Sequence, residues 1–70
     1  MEIFQGCVKF FSNSKGFGFI TDLDDGNDFF VHYSSINMEG YKTLEEGQNV
    51  QFNVEETDKG QQAINVISVD

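Results

Sequence analysis

The stretch Lys15-Gly16-Phe17-Gly18-Phe19-Ile20 decides how this chain folds. Side chains along a β-strand alternate between the two faces of a sheet. Phe17 and Phe19 therefore share one face, while Gly16, Gly18 and Ile20 share the other. An ordinary half-buried strand turns its large residues inward. Here the inward side carries glycines and the two rings point the other way. Glycine at inward positions lets strands cross closely, as a sheet must when it bends sharply and closes on itself.

Outward from this segment, turn signals recur at short intervals: Ser12-Asn13-Ser14, Asp24-Asp25-Gly26-Asn27, Glu39-Gly40, Glu46-Gly47 and Asp58-Lys59-Gly60. Runs rich in Phe, Val and Ile lie between them, which is an all-β pattern. Five strands are predicted, over Phe4–Ser12, Gly16–Asp22, Asp28–His32, Asn49–Glu56 and Gln61–Val69. No segment sustains a helical apolar period, and a single helical turn is placed near Ser34–Asn37. In the third strand Phe29, Val31 and Tyr33 alternate with Phe30 and His32, and in the fourth Val50, Phe52 and Val54 alternate with polar residues. An interior built from Val8, Ile20, Phe29, Val31, Ile36, Val50, Phe52, Val54 and Val66 leaves Phe17 and Phe19 outside. Five short antiparallel strands of this kind suggest a closed barrel.

The totals bound the function. Seventy residues make one small domain, spanning 1–70, that buries roughly 60% of its unfolded surface. One cysteine, Cys7, and one histidine, His32, form neither an internal disulfide nor a metal cluster. The start Met1-Glu2-Ile3-Phe4-Gln5 has no basic, apolar leader pattern. No apolar run reaches the length of a membrane span. A cytoplasmic location, no membrane partner and no cofactor or metal are expected. No activated nucleophile is evident and the carboxylate pairs lie in turns, so neither an enzyme nor a small-molecule substrate is expected.

The net charge of −8, from twelve acids against four lysines, runs against the basic face typical of nucleic-acid binders. Its distribution softens that objection. Between Ile3 and Thr21 there is no acidic residue, and Lys9 and Lys15 fall in that interval. Aromatic rings on a sheet surface can bind unpaired bases through their π-faces with little regard to sequence. Phe17 and Phe19 supply two such platforms. Phe30 and His32, on the corresponding face of the next strand, extend them, provided that Phe29 and not Phe30 turns inward; a one-residue slip would exchange the two. Phe10 or Phe11 widens the surface from the first strand, with Lys9 and Lys15 at its edge to meet phosphates or base edges.

With these residues in view, the sequence resembles the cold-shock domain family, the small bacterial cold-shock proteins in particular. Lys15-Gly16-Phe17-Gly18-Phe19-Ile20 and Phe30-Val31-His32-Tyr33-Ser34 carry the match. Gly6, Lys9, the segment from Gly40 to Gln48, Ala63 and Asn65 support it along the rest of the chain. The first motif also fits the start of the RNA-recognition-motif pattern. That fold needs two amphipathic helices and places its second aromatic motif earlier in the chain, neither of which holds here.

The resemblance implies an all-β, five-stranded antiparallel OB-type barrel that binds single-stranded RNA and DNA by base stacking, and an RNA chaperone that affects transcription and translation. It implies a binding set of Lys9, Phe10, Phe11, Lys15, Phe17, Phe19, Phe30, His32, Tyr33 and Tyr41, with Gln62 from the loop leading into the last strand. A monomer is expected. Some positions depart from the family pattern: Phe10 stands where Trp is common, Tyr33 and Tyr41 where Phe is usual, and Gln61 where Pro is frequent. None of these removes a stacking ring.

Overall fold

The computed structural model of the chain describes residues 2–37 and 44–69. Five strands run in chain order: β1 (Phe4–Ser12), β2 (Phe17–Asp22), β3 (Asp28–His32), β4 (Asn49–Thr57) and β5 (Gly60–Ser68). A single 3₁₀ turn, Tyr33–Ser35, follows β3. The strands close into a barrel in the order β1-β2-β3-β5-β4, with β4 returning to β1. Neighbours are antiparallel except β3 and β5, which pair in parallel through Phe30↔Gln62 and Val31↔Ala63. The all-β OB-type barrel expected from the sequence is the fold observed.

Strand β1 makes the closure possible because it belongs to two ladders. Its first half pairs with β4, from Phe4↔Phe52 to Cys7↔Asn49. Its second half pairs with β2, from Gly6↔Asp22 to Ser12↔Phe17. Gly6 lies where the ladders overlap, and a Cβ there would stand 2.6 Å from Ile20 Cγ2 and 2.7 Å from Phe52 Cε1. Gly18 is the second close approach. Its Cβ would run into the Phe10 carbonyl oxygen and the Phe11 Cα. Of the two glycines expected to face inward, Gly18 is such a close approach, whereas Gly16 precedes β2 with a φ of 79° and lies against the Tyr33 ring.

The interior is filled by Val8, Ile20, Phe29, Val31, Ile36, Leu44, Val50, Phe52, Ala63 and Val66, with Phe4, Phe11 and Val54 packed against it. Phe29, Phe52 and Phe4 form an aromatic cluster, with Phe29 and Phe52 centroids 5.7 Å apart and Phe4 stacked 5.7 Å from Phe52. Burial of each large apolar side chain is worth about 1.5–3 kcal/mol, so these rings carry much of the stability of so small a barrel. Eight of the nine expected interior residues are buried, and Val54 is half-buried at the edge. Leu44 and Ala63 complete the core. Leu44 lies outside any strand, and Ala63 is too small to stand out in an apolar pattern.

Side-chain polar bonds tie one turn and one irregularity within the β4–β5 ladder. Buried Asp22 accepts from the Asp24 amide at 2.9 Å through Oδ1, and its carbonyl accepts from Gly26 at 2.9 Å. This closes the acid-rich β2–β3 turn on itself. Asn65 has φ of 52°, a left-handed value that asparagine tolerates better than most residues, where the β4–β5 register shifts between Gln51 and Asn53. Its Nδ2 donates to Asn53 Oδ1 at 3.0 Å, and Asn53 Nδ2 donates to the Glu2 carbonyl at 2.7 Å.

Candidate nucleic-acid interface

The outer surface of β1, β2 and β3 gathers most of the rings singled out from the sequence. Phe19 faces Phe10 on one side and Phe30 on the other, and Phe30 in turn faces Gln62. One row thus crosses four strands. Phe17 faces His32 in the next row. Centroids are 5.6 Å apart for Phe10 and Phe19, 5.9 Å for Phe19 and Phe30, and 5.7 Å for Phe17 and Phe30. The rings support one another from the sides, which spares part of the cost of holding apolar surface ready for a ligand.

The choice between Phe10 and Phe11 is made by a β-bulge. The β1–β2 register shifts between Val8 and Phe10, so that Val8 faces Ile20 and Phe10 faces Phe19 while Lys9 is the extra residue. Regular alternation from inward Val8 would have turned Phe10 in and Phe11 out. The bulge reverses this. Phe10 is 39% exposed on the ring-bearing face, and Phe11 packs against the core. One edge of Phe11 still lines a groove with Asn13, Ser14, Lys15, Gly16 and Tyr33.

Tyr33 stands one residue beyond the end of β3. Alternation would place it inward with Phe29 and Val31, but the 3₁₀ turn begins at Tyr33 and leaves it 48% exposed. Its ring lies over Gly16, where a Cβ would be 2.9 Å from Tyr33 Cδ1, and 4.6 Å from the His32 ring. The consequence is a larger platform than the strand pattern implies. Tyr41 lies outside the described residues.

The lysines differ in their surroundings. Lys15 borders the groove under Tyr33. Lys59, with Thr57, Gly60, Gln61 and Gln62, forms the far wall of a groove of about 500 Å³ whose near wall is Phe30, His32 and Ser34. Lys9 is engaged within the protein. Its Nζ donates to Asp28 Oδ2 at 2.9 Å, and Thr21 Oγ1 donates to Asp28 Oδ1 at 2.7 Å. These two hydrogen bonds, the one from Lys9 first, hold the Asp28 carboxyl below the usual carboxylate range. The acid-free stretch from Ile3 to Thr21 gave no sign of this, because the partner comes from the next strand but one.

Chemically, the face offers stacking surface first, hydrogen-bonding groups from His32, Gln62 and Lys59 second, and little net positive charge. Among the described residues no group of three or more His, Cys, Asp or Glu side chains could hold a metal ion.

A family model described as the 'Cold-shock' DNA-binding domain matches residues 4–69. The chain belongs to the cold-shock domain family. This cold-shock domain is 58% identical over 65 residues to a cold shock protein CspA of Staphylococcus saprophyticus, covering 93% of this chain and 97% of that one. It is 54% identical over 69 residues to a cold shock-like protein CspC of Buchnera aphidicola, covering 99% of this chain and 100% of that one. Among solved structures it resembles "drosophila Unr CSD456" with a TM-score of 0.78 at 20% identity, over 99% of this chain and 27% of that longer one. That last likeness bears on the fold alone. Membership makes this a domain of a nucleic-acid-binding, non-enzymatic family, and it confirms the resemblance read from the two aromatic motifs.

Proposed function

We propose that this cold-shock domain binds single-stranded RNA and DNA by stacking bases on Phe10, Phe17, Phe19 and Phe30, and that it acts as an RNA chaperone. The observation that carries this reading is the cluster of outward rings spaced 5.6 to 5.9 Å apart on one face of the barrel. Unpaired bases expose the π-faces that such rings receive, whereas paired bases hide them in the stack. His32 and Tyr33 extend the platform. Lys15 and Lys59 flank it, and Gln62 presents an amide beside Phe30. Phe11 contributes an edge from below, and Tyr41 and Lys9 complete the set expected from the family.

A binder that holds bases by their faces competes with base pairing and is tolerant of sequence. Those are the properties a chaperone needs to keep transcripts open, with effects on transcription and translation. The protein works without enzymatic chemistry, cofactor or small-molecule substrate, as a monomer in the cytoplasm. The 1–70 chain acts as one binding unit.

Titration with short homopolymers of each base, repeated with Phe17→Ala and Phe30→Ala, tests this. Each substitution is expected to weaken binding by about 1–3 kcal/mol, the worth of one stacked base. Absence of binding at low salt overturns the proposal, and so does an affinity that neither substitution changes.

A further inference from the structure

His32 is held by a contact that the stacking reading does not use. The backbone amide of Ser34 donates to His32 Nδ1 at 3.2 Å, and the Ser34 hydroxyl oxygen lies 2.9 Å from the same nitrogen. A backbone N–H can only donate, so Nδ1 must present its lone pair. A neutral imidazole with an acceptor at Nδ1 carries its proton on Nε2. Nε2 has no hydrogen-bond partner among the described residues, and the ring borders the groove whose opposite wall is Lys59 and Gln62.

We infer that Ser34 sets His32 in the Nε2–H tautomer and so makes it a hydrogen-bond donor to an acceptor oxygen of the bound strand, either a base carbonyl or a phosphate. This rests on the proposed single-strand binding. Ser34 is a positioning residue, and His32 is the group that touches the ligand. The donor stands next to Phe17, its partner across the β2–β3 ladder, so a base stacked on that ring brings its edge within reach. The fold also explains why the residue after Tyr33 matters. The 3₁₀ turn brings the Ser34 amide back under the imidazole, with His32 as the capping residue.

Two measurements test the inference. Long-range ¹H–¹⁵N spectra of the free protein at about pH 8, above the ordinary histidine range, are expected to show His32 protonated at Nε2 only, with coupling between the Ser34 amide and Nδ1. A proton on Nδ1, or no coupling, overturns the positioning role. His32→Phe keeps an aromatic face for stacking and removes the donor. It is expected to weaken oligo-dT binding about fivefold, the worth of one neutral hydrogen bond. Loss on oligo-dT but not oligo-dA, whose bases carry no carbonyl, assigns the acceptor to the base. Equal loss on both assigns it to phosphate. Undiminished binding on both strands overturns the donor role alone, whereas a wild-type protein that binds neither strand overturns the functional reading with it.

Discussion

Lys9 and Asp28 form an ion pair across the outer surface of β1 and β3, with Nζ 2.9 Å from Oδ2 and the two side chains 60% and 39% exposed. An exposed pair of this kind adds little to stability. Its consequence is for charge. One of the two lysines in the acid-free stretch already has an anion beside it, and the domain as a whole carries −8. The proposed stacking mode therefore draws on the rings more than on released counterions.

Salt dependence is the direct test of that balance. Two to four phosphate contacts predict a slope of log K against log salt of about −1.4 to −2.8 for single strands. Asp28→Asn leaves Lys9 unpaired, and is expected to raise affinity at low salt and to steepen the slope by up to about 0.7. A wild-type slope steeper than about −5 would contradict this account of the charge.

The same pair predicts a pH response. Asp28 is held below the usual carboxylate range in the folded protein, so its contribution to stability is present above the ordinary aspartate value near pH ~4. That contribution is lost as pH falls through the lower folded value. Carboxyl titration followed by NMR is expected to show a depressed midpoint for Asp28. Lys9→Met removes the larger cause and should move the midpoint back toward normal, with Thr21 accounting for what remains.

Adjacent phenylalanines on β1 should separate cleanly into binding and stability. Phe10→Ala is expected to weaken oligonucleotide binding by about 1–3 kcal/mol while leaving the urea midpoint nearly unchanged. Phe11→Ala removes a ring packed against the core, and is expected to lower stability by more than Phe10→Ala does. The reverse ranking in paired titration and urea-unfolding measurements would place the bulge elsewhere.

Gly18→Ala tests the crossing of β1 over β2. Its Cβ would meet backbone atoms of Phe10 and Phe11, which cannot swing aside as a side chain can. A loss of about 1–3 kcal/mol, the usual cost of overpacking, is expected in urea unfolding. Gly26→Ala, in a turn with nothing within 4 Å of the new methyl group, gives the contrast. There only the strain of its positive φ of 77° applies.

The sequence by itself determined the strands, most of the core and the outward facing of Phe17 and Phe19. Those features follow from alternation, which is a local property of each strand, and from turn residues that mark where strands stop. What only the tertiary structure decided depends on partners distant along the chain. The extra residue at Lys9 turns Phe10 out and Phe11 in, and no period-two pattern contains a bulge that pairing with β2 creates. Lys9 meets an acid 19 residues away, so its charge is settled by register and not by neighbours in sequence. Tyr33 leaves the barrel wall because the chain turns there, and Ser34 comes back to His32 Nδ1 for the same reason. The rings were legible because exposure of a large apolar residue is unusual in any strand. Their arrangement was not, because the distances between rings on different strands are set by how the barrel closes.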